Sequence, residues 1–168
     1  MKNEQSLSKT RISRLRAQGY ATQTEQELSE LAFGIRFPYR LCVAILSIGV
    51  VMANIPILSV MLVLAFLGIV LPKHPFDYLY NHLLSARMNK PPVPPRAAQL
   101  KFACTIATAW IAGTISLFAV GMMTGGYIMG VLLILTASLP STIDFCVPSL
   151  IYNALFGKKK SNKGVATS

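Results

Sequence analysis

At 168 residues the chain is long enough for one domain, and 53% of it is hydrophobic while only 13% is charged. Soluble proteins carry about 25% charged residues, so this composition excludes an ordinary soluble fold. The net charge of +10 does not indicate nucleic-acid binding, because the basic residues flank hydrophobic blocks and are not gathered in one basic patch.

The 16 Lys and Arg residues fall in three stretches, which are separated by two hydrophobic blocks at residues 41–71 and 102–157. These blocks contain no base and a single acid, Asp144. A base at the centre of a membrane-spanning helix costs roughly 2.5–3.5 kcal/mol on insertion scales. The segregation therefore predicts an integral membrane protein whose basic flanks contact anionic lipids at the cytoplasmic face.

The N-terminal segment, residues 1–37, is polar and basic, which predicts a cytoplasmic location. Its first 21 residues have a composition typical of a mobile segment. Thr24 and Glu27 form the pattern of a capping box, and apolar residues then recur at helical spacing. We expect a short amphipathic helix at the membrane surface. Because the first hydrophobic block begins only at Leu41, we expect a retained anchor and not a secretory signal peptide.

The first hydrophobic block is too long for one straight crossing. As a single helix, residues 41–71 would run about 46 Å, against a hydrocarbon core of roughly 30 Å. Pro56 interrupts the block midway, and bases flank both of its ends. Because positive flanks stay in the cytoplasm, we expect a helical hairpin with spans at 38–54 and 56–72. One tilted span is the alternative.

The segment between the two blocks predicts a cytoplasmic loop rich in proline. Apolar residues from Phe76 to Leu84 are spaced as on an amphipathic helix. Residues 91–95 hold four prolines, which favour an extended polyproline strut. The loop should therefore combine an interfacial helix with a stiff connection.

The second block predicts a third span at residues 100–121, an uncharged turn, and a fourth span beginning near Tyr127. Gly126 and Gly130 form a GxxxG pattern, which lets helix backbones approach closely. Ala109 and Gly113 form a similar pair of small residues on the third span.

Residues 127–157 allow two interpretations. They could form one kinked span, or a span to about Ile143 followed by a half-helix at the inner boundary. The predicted fold is all-α, with four transmembrane helices arranged as two helical hairpins joined by the proline-rich cytoplasmic loop. The membrane domain covers 38–157, and a basic tail without fixed structure covers 158–168.

The three cysteines are candidate redox thiols. Cys42 and Cys104 each follow a basic residue closely, so both should lie near the cytoplasmic face, and Cys146 joins them if the last half-helix stays on that side. Thiols at one depth could form a redox or soft-metal site. The alternative is that each cysteine packs as a small apolar residue.

Asp144 is a candidate intramembrane polar site, since acids within membrane segments often handle protons or ions. The favoured interpretation is structural. Near the inner boundary Asp144 could cap the helix that begins at Phe145, by accepting hydrogen bonds from its free N–H groups.

Metal binding and catalysis find little support in the sequence. His74 and His82 flank Asp77, but a spacing of eight residues separates them by roughly 12 Å along a helix, too far to share one ion. We expect these loop histidines to be solvated. No nucleotide loop, nucleophile elbow or zinc motif is present. We therefore expect neither enzymatic activity nor a cofactor.

Three segments together resemble a family of small bacterial membrane proteins, the domain of unknown function 4395. They are residues 72–80, 94–99 and 145–152. The family motif falls on Pro75, Phe76, Asp77, Pro95, Arg96, Gln99, Phe145 and Tyr152.

The resemblance implies a location in the bacterial cytoplasmic (inner) membrane. The last motif of the family often reads Phe-Cys-x-Gly-Cys-x-x-Tyr, and here Pro148 stands for the Gly and Ser149 for the second Cys. Some relatives are joined to thioredoxin-like domains, which implies thiol exchange. With Ser149 in place, Cys146 would have to pair with another cysteine of the chain or with a partner.

Three functions remain open from the sequence. The first is a non-enzymatic scaffold or accessory subunit for a membrane partner. The second is a redox accessory acting through Cys146 with a thioredoxin-like partner. The third is a homo-oligomer that conducts a small solute or ion, with Asp144 near its pathway. Both termini are expected in the cytoplasm.

Overall fold

The computed structural model describes residues 7–157, and over these residues all regular structure is helical. This confirms the predicted all-α class. The basic tail predicted at 158–168 lies outside the described residues. In chain order the helices are α1 Lys9–Ala17, α2 Glu25–Val51, α3 Ile55–Val70, α4 Pro75–Leu79 with its π-helical continuation Tyr80–Leu84, α5 Ala98–Ala119, α6 Met123–Thr142 and α7 Val147–Phe156.

Three helices, α2, α5 and α6, are long and apolar enough to cross a membrane. A fourth crossing is added if α3 and the α4 segment count as one broken element, whose two parts are bent by 83°. The lengths and the composition of these helices are therefore those of a multi-pass helical membrane protein. On its own, α3 has only 16 residues.

The turn between α2 and α3 forms where Pro56 was expected to interrupt the first block. Ala53 has a positive φ of 46° and reverses the chain. The Asn54 side chain then accepts a hydrogen bond from the N–H of Ile57 at 3.0 Å and caps α3. Pro56 lies in the first turn of α3, where its missing N–H costs nothing.

Helices α2, α3, α5 and α6 form a bundle of two hairpins, α2–α3 and α5–α6, which pack against each other. The arms of the two hairpins pack together as α2 with α3 and α5 with α6, and the hairpins meet through α3 with α5 and α2 with α6. The bundle core is a cluster of buried apolar side chains from all four helices: Leu46, Val50, Leu58, Met61, Ala65, Ile111, Phe118 and Leu133.

The two glycines of the GxxxG pattern lie at tight helix contacts. A Cβ added to Gly126 would be 2.5 Å from the Phe118 ring on α5, and one added to Gly130 would be 2.6 Å from Val50 on α2. The predicted close packing is therefore present, and α6 approaches α5 at one glycine and α2 at the other. The Ala109–Gly113 pair is not used in this way, because Ala109 is exposed and Gly113 has only an ordinary contact.

The N-terminal segment differs from its prediction in two respects. Residues 9–17 form α1, whose Ile12 and Leu15 are buried in a second apolar cluster with α2 and Leu100 of α5. The amphipathic helix that begins after the Thr24 capping box is not a separate surface helix, because α2 runs unbroken into the first span. Pro38 lies inside α2 and does not end it.

The loop that joins the two hairpins, residues 71–97, which we call the inner loop, contains less helix than its apolar spacing predicts. It holds the five residues of α4 and then one π-helical turn. Residues 90–97 contain no helix or strand. Asn81 fixes this stretch, since its side chain donates to the carbonyl of Val93 at 3.1 Å and accepts from the N–H of Val93 at 2.7 Å.

Residues 127–157 are divided between two helices, as the second interpretation predicts, while the position of the second helix at the inner boundary stays a prediction. Helix α6 ends at Thr142, and α7 begins at Val147 with Pro148 in its first turn. The two are separate helices and not one kinked span.

Candidate functional site

A buried ion pair joins two segments of the family motif. The Nε of Arg96 donates to Oδ2 of Asp77 at 2.6 Å, and its Nη2 donates to Oδ1 at 3.3 Å. Both side chains are almost fully buried. Oδ2 of Asp77 also accepts the N–H of His74 at 2.9 Å, as part of the capping box that begins α4. The inner loop is thereby held at the N-terminal end of α5.

The same guanidinium reaches a cysteine. Nη1 of Arg96 donates to Sγ of Cys104 at 3.4 Å, and the guanidinium carbon lies 5.8 Å from the centre of the Tyr39 ring. Arg96 thus links the ion pair to a thiol on α5 and to an aromatic ring on α2.

Gly68 of α3 brings His74 close to Cys104. A Cβ added to Gly68 would be 2.7 Å from Cδ2 of His74 and 2.9 Å from Sγ of Cys104. Both side chains therefore occupy space that only glycine leaves free. His74 was expected to be solvated, and this expectation is wrong: it is 3% exposed.

Burial determines the charge state of His74. Desolvation, assisted by Arg96 and opposed by Asp77, lowers the pKa of His74 to about 4. The imidazole is therefore neutral at physiological pH. His82, the second histidine of the loop, is exposed.

All three cysteines line one cavity of about 200 Å³ between α2, α3, α5, α6 and the start of α7. His74, Arg96 and Tyr39 also line it, and the rest of the wall is largely apolar. Cys42, Cys104 and Cys146 all carry free thiols. Burial raises the pKa of Cys146, so that its thiol form is favoured.

Within residues 7–157 no group of three or more His, Cys, Asp and Glu side chains could hold a metal ion. Cys146 is followed one helical turn later by Ser149, which is fully buried beside it. The cavity therefore offers thiols near an arginine and a neutral histidine, which is an arrangement suited to thiol chemistry or to binding a small molecule.

Asp144 lies outside this cavity and does not cap α7. The N-cap of α7 is Cys146, without a side-chain capping bond. The carboxylate of Asp144 instead accepts from Nε of Arg36 at 2.6 Å and from Nε of Arg11 at 2.8 Å. A buried carboxylate without partners is costly, and two arginines satisfy it better than helix N–H groups could.

Helix α1 is held by further bonds around the same loop. Gln18 donates to the carbonyl of Asp144 at 2.8 Å, and Arg14 donates to the carbonyl of Ile143 at 2.9 Å. Arg14 also lies 5.5 Å from the centre of the Phe145 ring. We call Arg11, Arg14, Gln18, Arg36 and Asp144 the arginine latch.

The remaining motif residues connect α5 and α7. Gln99 donates to Oδ1 of Asn153 at 3.2 Å, and Tyr152 packs its ring against Phe102 at 5.6 Å. Pro75 and Phe76 lie in the first turn of α4, and Pro95 precedes Arg96 in the loop. Most of the motif thus holds the inner loop and α7 around the cavity.

Sequence reasoning missed His74, Arg36 and Arg11 as members of these clusters. The lone acid in an apolar block was a signal that a base must pair with it. Nothing local indicated which one, because Arg36 and Arg11 are 108 and 133 residues away from it in the chain.

A comparison with family models confirms the resemblance drawn from the motif. The model described as Domain of unknown function (DUF4395) matches residues 33–156. No curated protein and no solved structure matches the chain. The matched region contains the ion pair, the three cysteines, the helices α3, α5 and α6, and α2 from residue 33 onward. The chain belongs to the family of domain of unknown function 4395.

Proposed function

We propose that this chain is a non-enzymatic accessory protein of the bacterial cytoplasmic membrane that takes part in a partner's thiol–disulfide exchange through Cys146. One observation supports this proposal above the others. Cysteines from α2, α5 and the loop before α7, far apart in the sequence, line the same cavity. Packing alone does not require all the thiols of a chain to meet at one place.

The proposed exchange has two steps. The thiolate of Cys146 attacks a disulfide of a thioredoxin-like partner, forming a mixed disulfide and releasing one partner thiolate. The thiolate of Cys104 or Cys42 then attacks the sulfur of Cys146 and releases the second partner thiolate. The partner gains two electrons and two protons, and this chain gains one internal disulfide.

The resting state opposes this reaction, so exchange requires an opening. Cys146 is 5% exposed, and its raised pKa keeps it protonated. We propose that partner binding releases the arginine latch, which holds the short loop 143–146, so that this loop moves away from the cavity.

The test counts thiols in cells that are quenched with acid and labelled with a maleimide of high mass. We expect a fraction of wild-type chains to carry two blocked cysteines, and Cys146→Ser to remove that fraction. Cys104→Ser or Cys42→Ser should trap the mixed disulfide with the partner. Ser149→Ala is the control, since it alters the same turn and leaves every thiol. Full labelling of all three thiols in wild type under oxidising growth would contradict the proposal.

A scaffold role without thiol chemistry is the second candidate, and a different observation supports it. The charges of Asp77, Arg96 and Asp144 are satisfied inside the protein, which suits a structural function better than a reactive one. Co-purification in a mild detergent separates the two roles. The variant with all three cysteines replaced by serine should still bring a stoichiometric partner, or a second copy of the chain, if the scaffold role is correct. A lone monomer from the wild-type chain would count against it.

The contacts of Asp144 do not support a role in ion conduction. Its carboxylate is bound by Arg36 and Arg11, and Asp144 is not among the residues that line the cavity.

We also propose that helices α2, α3, α5 and α6 all cross the membrane. An even number of crossings leaves both termini on the same side, and the basic flanks favour the cytoplasm. Helix α3 spans about 24 Å at 1.5 Å per residue, a little less than the hydrocarbon core. Local thinning of the bilayer accommodates such a difference at a modest cost.

A further inference from the structure

We infer that the cavity is a binding site for a small, uncharged, lipid-soluble carbonyl compound, held by hydrogen bonds from Arg96 and His74. This inference goes beyond thiol exchange and does not rest on it, because it needs the cavity and two donors but no reactive sulfur.

The size and the walls of the cavity fit an apolar ring. Its volume is about 200 Å³, whereas an apolar cavity of about 150 Å³ in a soluble protein stays dry and binds benzene. Apolar side chains from four helices line the cavity, among them Leu46, Met61, Ala65, Ile111 and Leu133. Water would find few hydrogen-bond partners on such apolar walls, whereas the surrounding bilayer is a reservoir of apolar molecules.

Arg96 supplies unused donors at the polar end. A guanidinium has five N–H groups, and three of them are used by Asp77 and Cys104. The other two have no acceptor among the described residues. Arg96 lines the cavity, so a bound molecule with an oxygen acceptor could use them.

His74 supplies a second donor. Its Nδ1 accepts the N–H of Phe76 at 3.3 Å, so the proton of the neutral ring is on Nε2. Among residues 7–157, no acceptor forms a hydrogen bond with Nε2 of His74. His74 also lines the cavity.

The charge balance favours a neutral ligand. The positive charge of Arg96 is already matched by Asp77, and His74 carries none. An anion would enter an apolar site without a counter-charge, which is costly. A carbonyl oxygen accepts hydrogen bonds without bringing a charge, and this distinguishes a neutral carbonyl compound from a fatty acid.

Trp110 makes the inference testable, because it lines the cavity and is the single tryptophan of the chain. Its fluorescence therefore reports on this site. We would titrate the purified full-length protein in detergent with duroquinone, a fully methylated ring with two carbonyl groups. We expect saturable quenching that reverses on dilution, which separates binding from covalent capture by a thiol.

A matched pair of variants distinguishes binding in the cavity from partitioning of duroquinone into the detergent micelle. Ala107→Leu adds a side chain to a cavity-lining position, and Ala109→Leu adds the same side chain to an exposed position of the same helix. Ala107→Leu should lose the saturable quenching, and Ala109→Leu should keep it. If Ala107→Leu does not fold, Ala137→Leu fills the cavity from α6. Equal saturable quenching in wild type and in a folded cavity-filling variant would overturn the inference.

A second ligand tests the hydrogen bonds. Durene has the same methylated ring without carbonyl groups, so it should compete at least about tenfold more weakly than duroquinone. Equal competition by durene would overturn the assignment of a carbonyl ligand. If a phospholipid displaced duroquinone and durene equally well, the assignment of a carbonyl ligand would also be overturned, since the occupant would then be an acyl chain.

Discussion

Asp77 and Arg96 each depend on the other, because both are buried. Removing one partner of such a pair leaves an uncompensated charge in an apolar site. Asp77 also accepts the N–H of His74 at the start of α4, and Arg96 donates to the sulfur of Cys104. We therefore expect the cavity to depend on the ion pair, whose Arg96 is also part of the cavity wall.

We expect Asp77→Ala to lower the free energy of unfolding by about 3–5 kcal/mol, because Arg96 would remain buried without its carboxylate. Unfolding in mixed micelles of increasing SDS content would measure the loss. Glu25→Ala is the control, since Glu25 pairs with Arg16 at 4.0 Å in an exposed position, where such pairs contribute about 0–1 kcal/mol. A change for Asp77→Ala as small as that of the control would show that the pair is not required.

The buried His74 predicts a dependence of stability on pH. Its pKa is about 4 in the folded protein and near 6.5 when unfolded, so the unfolded chain binds a proton first as the pH falls. The free energy of unfolding should therefore decrease between about pH 6.5 and pH 4, by roughly 3 kcal/mol at most, and level off below pH 4.

Comparison with His74→Asn isolates this contribution, because asparagine can still cap α4 but does not titrate in this range. The variant should show a shallower slope of stability against pH than wild type. His82→Asn replaces the exposed histidine and should leave the slope unchanged. Identical slopes in wild type and His74→Asn would disprove the assignment.

At the scale of elements, α6 depends on glycine where it meets α2. We expect Gly130→Ala to destabilise the protein by about 1–3 kcal/mol, since the new Cβ would lie 2.6 Å from Val50. Gly125→Ala is the matched control, because its Cβ would meet Leu117 at an ordinary 3.5 Å. Thermal unfolding in detergent measures both. A Gly130→Ala variant as stable as Gly125→Ala would mean that the two helices can separate at no cost.

The arginine latch should determine whether α1 stays docked. Asp144→Asn removes the charge that binds Arg11 and Arg36, so we expect faster backbone hydrogen exchange in Lys9–Ala17, by at least about tenfold. Arg16→Ala is the control, because Arg16 lies on α1 outside the latch. Unchanged exchange in Asp144→Asn would show that Ile12 and Leu15 alone hold the helix.

At the scale of the whole molecule, the membrane topology is a prediction of its own. Reporter fusions at Asn54 and Thr124 should both appear on the periplasmic side, because no base lies near either turn. A fusion at Lys90 in the inner loop should appear in the cytoplasm. A cytoplasmic signal from either turn would contradict the proposal of two hairpins.

The sequence predicted the helices better than it predicted the site. Hydrophobic length, the capping box at Thr24 and the break at Pro56 are local signals, and all three appear in the structure. The latch and the burial of His74 depend on contacts between distant segments, which local spacing cannot reveal. The continuity of α2 was missed because Arg36 and Arg40 separate the amphipathic stretch from the hydrophobic block in the sequence, whereas one helix runs through both.

The long sequence separation within the latch has a consequence for biosynthesis. Arg36 and Arg11 precede Asp144 by 108 and 133 residues, so at about 5–20 residues per second they are synthesised roughly 5–27 s before their partner. Until Asp144 is synthesised, neither arginine can form its ion pair of the latch. Docking of α1 is therefore one of the last steps of maturation, and a transcript that stops short of codon 144 yields a bundle that cannot complete it.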